Sequence, residues 1–387
     1  MTRVTGDWLT APGAQAVLKM LEDGGHRAYA VGGCVRNALL GEPVADVDIS
    51  TDARPERVIE LAKAAGLRAV PTGIDHGTVT VVANGTGFEV TTFRADVETD
   101  GRRAVVRFAD DVAEDAVRRD FTMNALYADR HGQITDPLGG LPDIAARHLR
   151  FIEDADRRIR EDYLRILRFF RFYAWYGDPQ TGMDADALAA IAANLDGLQH
   201  LSRERVGQEL LKLFAAPDPF AAVAVMARTG VLNTALPGAS ETPLGPLLEH
   251  ESTLNLPPDP LRRLAAIGVF DGGALRFSKA QKKRLEQYQT LISDPMPLPE
   301  VAYRHGADMA RDVLVLRAVT FGAPLDTSAL SSIEKAAKAR FPVAAKDLKD
   351  RYQGPALGEA LRQLESDWIA SGFTLDKATL LDRSRNA

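Results

Sequence analysis

At 387 residues the chain exceeds the roughly 100 to 200 residues usual for one domain, so two or more folded units are expected. Hydrophobic residues at 45% and charged residues at 26% exclude a disordered chain, and the single cysteine, Cys34, excludes a disulfide framework or a cysteine-built zinc site. A net charge of −6 argues against generic polyanion binding, so any affinity for nucleic acid must come from local clustering.

The opening segment MTRVTGDWLTAPGAQ lacks the apolar core of a signal peptide. No stretch approaches the roughly 20 apolar residues that span a bilayer. The expectation is a cytoplasmic protein with no membrane and no disulfide partners.

The first run with chemistry is VGGCVRNALLGEPVADVDIS, from Val31 to Ser50. The pair Gly32 and Gly33 lets backbone N–H groups approach an anion at a helix N-terminus, and Arg36, one turn in, adds a planar fork of donors suited to phosphate. Cys34 reads as a packing residue of this turn. Alternation then predicts a strand with Val47 and Ile49 on one face and Asp46 and Asp48 together on the other. Two such carboxylates repel unless solvated, and a hard ion such as Mg²⁺ favours carboxylate oxygens combined with substrate phosphates. A polar edge strand is the plainer alternative.

Residues 55–65 predict a helix with proline in its first turn, and residues 78–83 and 88–93 predict strands joined by a hairpin at 84–87. Glu89 on the second strand is expected on the same face as Asp46 and Asp48. Three carboxylates suit a two-metal arrangement for nucleotidyl transfer, whereas an isolated strand glutamate is usually just solvated. In RRDFTMN, Asp120 caps a short turn that Asn124 closes, leaving Arg118 and Arg119 for ribose or phosphate, or for salt bridges. A further hairpin is expected around His131-Gly132. Together these elements predict a small α+β domain.

Beyond residue 143 strand signals almost vanish. Helical periodicity covers 160–176, 185–194, 203–214, 219–228, 261–269, 279–294 and 354–371, with proline-rich breaks at 236–246, 256–260 and 295–299. The arginines between 147 and 171 are dense enough to follow a phosphate backbone. Within EDYLRILRFFRF, Asp162, Arg165 and Arg168 are expected near one helix face, with Leu164, Leu167 and Phe170 on a packing face. An aspartate only accepts and an arginine only donates. Cytosine and adenine both present an amino donor beside a ring-nitrogen acceptor, while guanine and uracil present the reverse. A protein edge of Asp162 and Arg165 therefore matches C and A and meets G and U with like against like. A salt-bridged amphipathic helix is the alternative.

Taken together, these segments resemble the class II tRNA nucleotidyltransferase and poly(A) polymerase family of the polymerase-β-like nucleotidyltransferase superfamily. VGGCVRNALLG with DVD, RRDFTMNAL, DPLGGLPD, EDYLRILRFFRF and LSRERVGQELLKLF are similar to its five motifs in order, and AAKDLKDRYQGPALGEALRQLESDWIASG is similar to its C-terminal helical segment. The resemblance implies an α+β fold: a nucleotidyltransferase head with a small mixed sheet over 1–143, an all-α neck over 144–215 that recognises the base, and an all-α body and tail over 216–387 that bind tRNA. It implies addition of C, C and A to the tRNA 3′ end from CTP and ATP, without a template. Asp46 and Asp48 would bind Mg²⁺, with Glu89 as the third catalytic carboxylate. Gly32, Gly33, Arg36 and Arg119 would hold sugar and phosphates, and Asp162 and Arg165, supported by Arg168 and Arg171, would read the base.

Asn37 departs from the family, which usually has Asp there; an orienting role survives that change, and a direct metal role does not. The segment 94–117 looks like the flexible loop of CCA-adding members, and Asp75-His76-Gly77-Thr78 is similar to them. No His-Asp pair in the C-terminal half suggests a phosphohydrolase domain. The competing readings are a poly(A) polymerase, an enzyme adding only the final A, a catalytically silent RNA-binding protein, and a nucleotidyltransferase acting on a small molecule or a protein.

Overall fold

The computed structural model describes residues 2–100 and 103–384, and the chain divides into two compact units, Met1–Pro237 and Gly238–Ala387. The first unit is α+β, and the second has helices and no strand among its described residues.

Nine strands form among the described residues of the first unit: β1 (Ala28–Val31), β2 (Asp48–Thr51), β3 (Arg68–Gly73), β4 (Thr78–Ala83), β5 (Thr86–Thr92), β6 (Arg94–Asp100), β7 (Arg103–Phe108), β8 (Tyr127–Ala128) and β9 (Ile134–Thr135). Seven make one mixed sheet in the order β3-β4-β5-β2-β1-β8-β9, while β6 and β7 pair separately. The ribbon β6–β7 occupies the segment expected as a flexible loop, of which Gly101 and Arg102 lie outside the described residues. The hairpin between β4 and β5 is tighter than expected. Asn84 and Gly85 take φ of 50° and 80°, so these two residues make the turn and β5 begins at Thr86. Positive φ at both centres matches the right-handed twist of the flanking strands.

Two registers bring the acidic residues to one end of the sheet. Asp48 sits opposite Val31 of antiparallel β1 and opposite Glu89 of parallel β5. Asp46 is not on the strand, contrary to the alternation reading. β1 ends at Val31 because Gly32, at φ 72°, turns the chain into the helix Gly33–Leu40, leaving nothing for residues 46 and 47 to pair with there. Glycine reaches that φ without the clash a Cβ would make.

The arginine-rich segment also differs from expectation. Instead of one helix over 160–176 there are two, Ala155–Glu161 and Leu164–Tyr176, with Asp162 extended between them at φ −154°. Its Oδ1 accepts from the Leu164 amide at 3.1 Å, a local bond that competes with helix continuation. The second helix packs through an aromatic layer: Phe121 lies 4.9 Å from Phe151 and 5.2 Å from Phe172 between ring centroids, and Phe151 stacks on Phe169 at 5.6 Å. Each such buried ring contributes about 2–3 kcal/mol from area alone, so this layer is what holds the Phe121 turn and the helix together.

In the second unit Leu291, Val301, Val313 and Ile333 centre one core, and Leu348, Leu364, Trp368 and Leu380 another. The proline-rich stretches at 236–246 and 295–299 contain helix beginnings, Leu244–Thr253 and Leu298–His305, because proline is tolerated in a first turn. Ala307–Phe321 escapes periodicity: the consecutive Val313, Leu314, Val315 and Leu316 are all buried, and an apolar run that wraps the helix leaves no single stripe. Arg262 and Arg263 are buried against Glu251, and Arg262 also meets Asp312 at 2.7 Å. No helix among the described residues is long and apolar enough to cross a membrane.

Replacing fully buried Phe121 with Ala should remove the centre of the aromatic layer and cost about 3–5 kcal/mol. Urea unfolding checks this. A loss below 1 kcal/mol would show that the layer does not hold the helix Leu164–Tyr176.

Candidate active site

A cleft of about 470 Å³ in the first unit is where the sheet end, the Phe121 turn and the arginine-rich helix meet. It is lined by Gly32, Gly33, Arg36, Asp48, Arg119, Asp162, Arg165, Arg168 and Arg171 among the residues expected from sequence. Asp46 and Glu89 are exposed and stand outside that lining. Sequence reasoning missed Arg205, which also lines it, and the carboxylates Asp115, Glu161 and Glu209 that hold its arginines. Arg205 and Glu209 lie in LSRERVGQELLKLF, but their partners Asp162 and Arg171 are 43 and 38 positions away, so no local spacing signals them.

Seven arginines line the cleft: Arg36, Arg118, Arg119, Arg165, Arg168, Arg171 and Arg205. Arg118 and Arg119 share Asp115, at 2.8 and 3.0 Å. Arg165 meets Glu161 at 2.7 Å, Arg171 meets Glu209 at 2.5 Å, and Arg205 meets Asp162 at 2.6 Å. Arg168 reaches Asp120 through Nε at 2.8 Å. Arg36 differs. Its Nε and one terminal nitrogen donate to Asn37 Oδ1 at 3.1 and 2.8 Å, the other nitrogen donates to Asn124 Oδ1 at 2.5 Å, and Tyr176 Oη accepts at 2.9 Å.

Several donors remain open in this network. Arg119 uses Nε on Tyr127 Oη and one terminal nitrogen on Asp115 and Ser50, while its other terminal nitrogen lies on the Gly32 side. Arg165 commits three of its five N–H groups, to Arg158 O, Glu161 and Arg118 O. Asp162 accepts one bond on each oxygen, from Leu164 N and Arg205, and each oxygen can take another. An acceptor and a donor thus face the same cleft, as a base edge requires. Asn124 donates to Asp120 Oδ1 at 2.8 Å, so the expected closed turn is present.

At the sheet end, partial burial raises the Asp48 pKa, as does Glu89, against the pull of Arg119, and Asp46 adds to the rise. Neither Asp46, Asp48 nor Glu89 has an ion pair among the described residues. Exposed hard oxygens under mutual repulsion fit a divalent cation that also takes substrate phosphates. The set is open rather than a closed cage, since among the described residues no three His, Cys, Asp or Glu converge as ligands. Buried Cys34 is no nucleophile: burial, with Asp48 nearby, pushes its thiol up to about 11.

A mixed-sheet head carrying a glycine turn, followed by helices, is the architecture of a nucleotidyltransferase of the poly(A) polymerase type. The family model described as Poly A polymerase head domain matches residues 28–150, and one described as Probable RNA and SrmB- binding site of polymerase A matches residues 182–242. The chain is 37% identical over 329 residues to a CCA-adding enzyme of Geobacillus thermodenitrificans (strain NG80-2), covering 81% of this chain and 79% of that one. It is 30% identical over 397 residues to the mitochondrial CCA tRNA nucleotidyltransferase 1 of Mus musculus, covering 96% of this chain and 90% of that one. A crystal structure of the Bacillus stearothermophilus CCA-adding enzyme in complex with CTP is similar with a TM-score of 0.73 at 29% identity, covering 97% of each chain. The chain belongs to the class II tRNA nucleotidyltransferase and poly(A) polymerase family. Nucleotidyltransferases of this family generally use divalent metal ions.

Asp115 has a measurable signature. Burial alone would raise its pKa, but Arg118 and Arg119, with a hydrogen bond from Tyr127, hold it down at about 2. Because the unfolded carboxyl titrates near 3.8, the ionised native form contributes about 2 kcal/mol above that pH, lost as pH falls toward 2. In Asp115→Asn the stability measured by urea unfolding should therefore be lower at pH 7 and fall less steeply between pH 5 and about 2. Identical pH profiles for the two proteins would contradict this assignment.

Proposed function

We propose that this protein adds C, C and A to the 3′ end of tRNA, taking CTP and ATP as substrates and using no nucleic-acid template. The observation that carries the reading is that one cleft holds Asp48 beside the Gly32-Gly33 turn together with the acceptor–donor pair of Asp162 and Arg165. The relatives named above, a CCA-adding enzyme and a CCA tRNA nucleotidyltransferase, support the same reaction. A relative crystallised with CTP supports the nucleotide.

In this reading the 3′ hydroxyl of the RNA loses its proton to solvent, its oxygen bonds to the α-phosphorus, and the bond from that phosphorus to the bridging oxygen breaks as pyrophosphate leaves. Asp46 and Asp48 hold Mg²⁺, with Glu89 as the third catalytic carboxylate. Divalent ions bound there would supply charge stabilisation to the transferring phosphoryl group, as in a two-metal arrangement. Gly32, Gly33, Arg36 and Arg119 hold sugar and phosphates; the protein's part is positioning and charge, which dominates phosphoryl chemistry. Asp162 accepts from the exocyclic amine of C or A while Arg165 donates to the ring nitrogen, with Arg168 and Arg171 in support. Protein side chains thus stand in for a template base. Residues 1–143 act as the catalytic head, 144–215 as the base-reading neck, and 216–387 as the tRNA-binding body and tail. The cytoplasm is the expected compartment, in keeping with a lone buried thiol.

Incubation with tRNA ending at its discriminator base, plus CTP and ATP, should give a discrete C-C-A product, and Asp48→Ala should lose about a thousandfold or more in rate. Long adenosine tails without that product, or full activity in Asp48→Ala, would refute the reading.

A further inference from the structure

Arg165, Arg168, Arg171 and Phe172 of the helix Leu164–Tyr176 line the cleft. Trp175 stands four residues past Arg171 and three past Phe172, so it continues the same face one turn further. On that partly exposed stripe the arginine pattern calls for another polar side chain, and the chain places a tryptophan there. Trp175 is 39% exposed, the only exposed large apolar side chain of this helix.

Exposure alone means little, since single apolar side chains are common on protein surfaces. This ring is also held still. Its indole N–H donates to the carbonyl oxygen of Lys212 at 2.8 Å, one of the last four carbonyls of the helix Arg203–Phe214, which lack a helical donor. Tyr176 packs beside it with 6.5 Å between ring centroids, and the Tyr176 hydroxyl accepts from Arg36 in the cleft wall. Lys212, whose backbone the indole grips, is exposed and has no ion pair among the described residues. A fixed aromatic face beside an unpaired cation is what a single nucleic-acid strand recognises, through one base and its phosphate.

At 1.5 Å of rise per residue, Trp175 lies about 15 Å along the helix from Arg165. A nucleotide whose base meets Asp162 and Arg165 therefore cannot lay that base on Trp175. The ring is left for the other substrate.

We propose that Trp175 is a stacking platform for a base in the unpaired 3′ segment of the RNA substrate, with Lys212 taking a phosphate beside it. The proposal rests on the RNA-elongating reading above and adds a contact for the strand that is extended. Every base has a stacking face, so this contact holds the strand without reading its sequence.

The experiment compares Trp175→Ala, Trp175→Phe and Lys212→Gln with the unaltered protein. It measures dissociation constants for tRNA ending in C-C, for the same tRNA cut back to its last base pair, and for CTP, together with thermal melting and sedimentation. Trp175→Ala should weaken the C-C tRNA about tenfold, the size of one base–ring stack, and leave the shortened tRNA and CTP within about twofold. Trp175→Phe keeps a ring but no N–H, so affinity should return to within about threefold while both variants melt lower. Lys212→Gln should weaken the C-C tRNA about threefold and flatten its salt dependence by about one ion. A ring that only caps the neighbouring helix would lower both melting points with RNA affinity unchanged, which overturns the proposal. Equal losses in the Ala and Phe variants, equal losses on both RNAs, or a comparable loss for CTP would overturn it too. So would a dimer of the unaltered protein that Trp175→Ala dissolves, since the ring would then belong to a contact with a second copy. Binding of neither RNA by the unaltered protein would refute the proposed function, and this inference with it.

Discussion

Guanidinium groups crowded into one cleft repel one another, and the way this chain relieves that repulsion shapes everything around it. Carboxylates from three separate places, Asp115 and Asp120 near the sheet, Glu161 and Asp162 at the helix break, and Glu209 on the helix Arg203–Phe214, reach into the arginine cluster. Each pairing fixes a planar fork in a chosen direction at low residual entropy, so the remaining N–H groups are aimed before a ligand arrives. The same bonds tie distant parts of the first unit together: Arg168 to Asp120 and Arg171 to Glu209 both anchor the helix Leu164–Tyr176. Breaking one partner leaves a desolvated charge, which is far more costly than never having had the pair.

Beneath this polar layer the aromatic layer of Phe121, Phe151, Phe169 and Phe172 supplies the rigidity that the ion pairs alone lack. Phe172 belongs to both. Its ring packs against Phe121, and the guanidiniums of Arg36, Arg168 and Arg171 lie 5.0, 5.4 and 4.3 Å from its centroid. Apolar burial thus sets the depth of the cleft and cation–ring contacts set the height of its arginines.

How far the sequence reveals this depends on the distance over which each interaction acts. The glycine turn and a hairpin within residues 84–87 follow from local φ requirements, and a shared face for Asp48 and Glu89 follows from strand alternation, whereas their direct pairing across parallel strands is tertiary. The break at Asp162 was not readable, because helical periodicity continues through it and only a side-chain bond to Leu164 N interrupts the backbone. Asp46 falls off the strand because Gly32 ends its neighbour, a tertiary fact. The residues that read as free ligands, Arg119, Arg165, Arg168 and Arg171, turned out to be partly engaged by Asp115, Glu161, Asp120 and Glu209. Local spacing points to the first two of these pairs but not to Arg171 with Glu209, whose partner is 38 positions away.

In the proposed function a preorganised acceptor and donor, Asp162 and Arg165, sort nucleobases by the order of groups on their edges. Equilibrium binding of CTP, ATP, GTP and UTP to the unaltered protein, in the presence of a divalent ion, tests it most directly. The account predicts that CTP and ATP bind at least about tenfold tighter than GTP and UTP, since a mismatched edge leaves buried polar groups unpaired. Four nucleotides binding alike would contradict it.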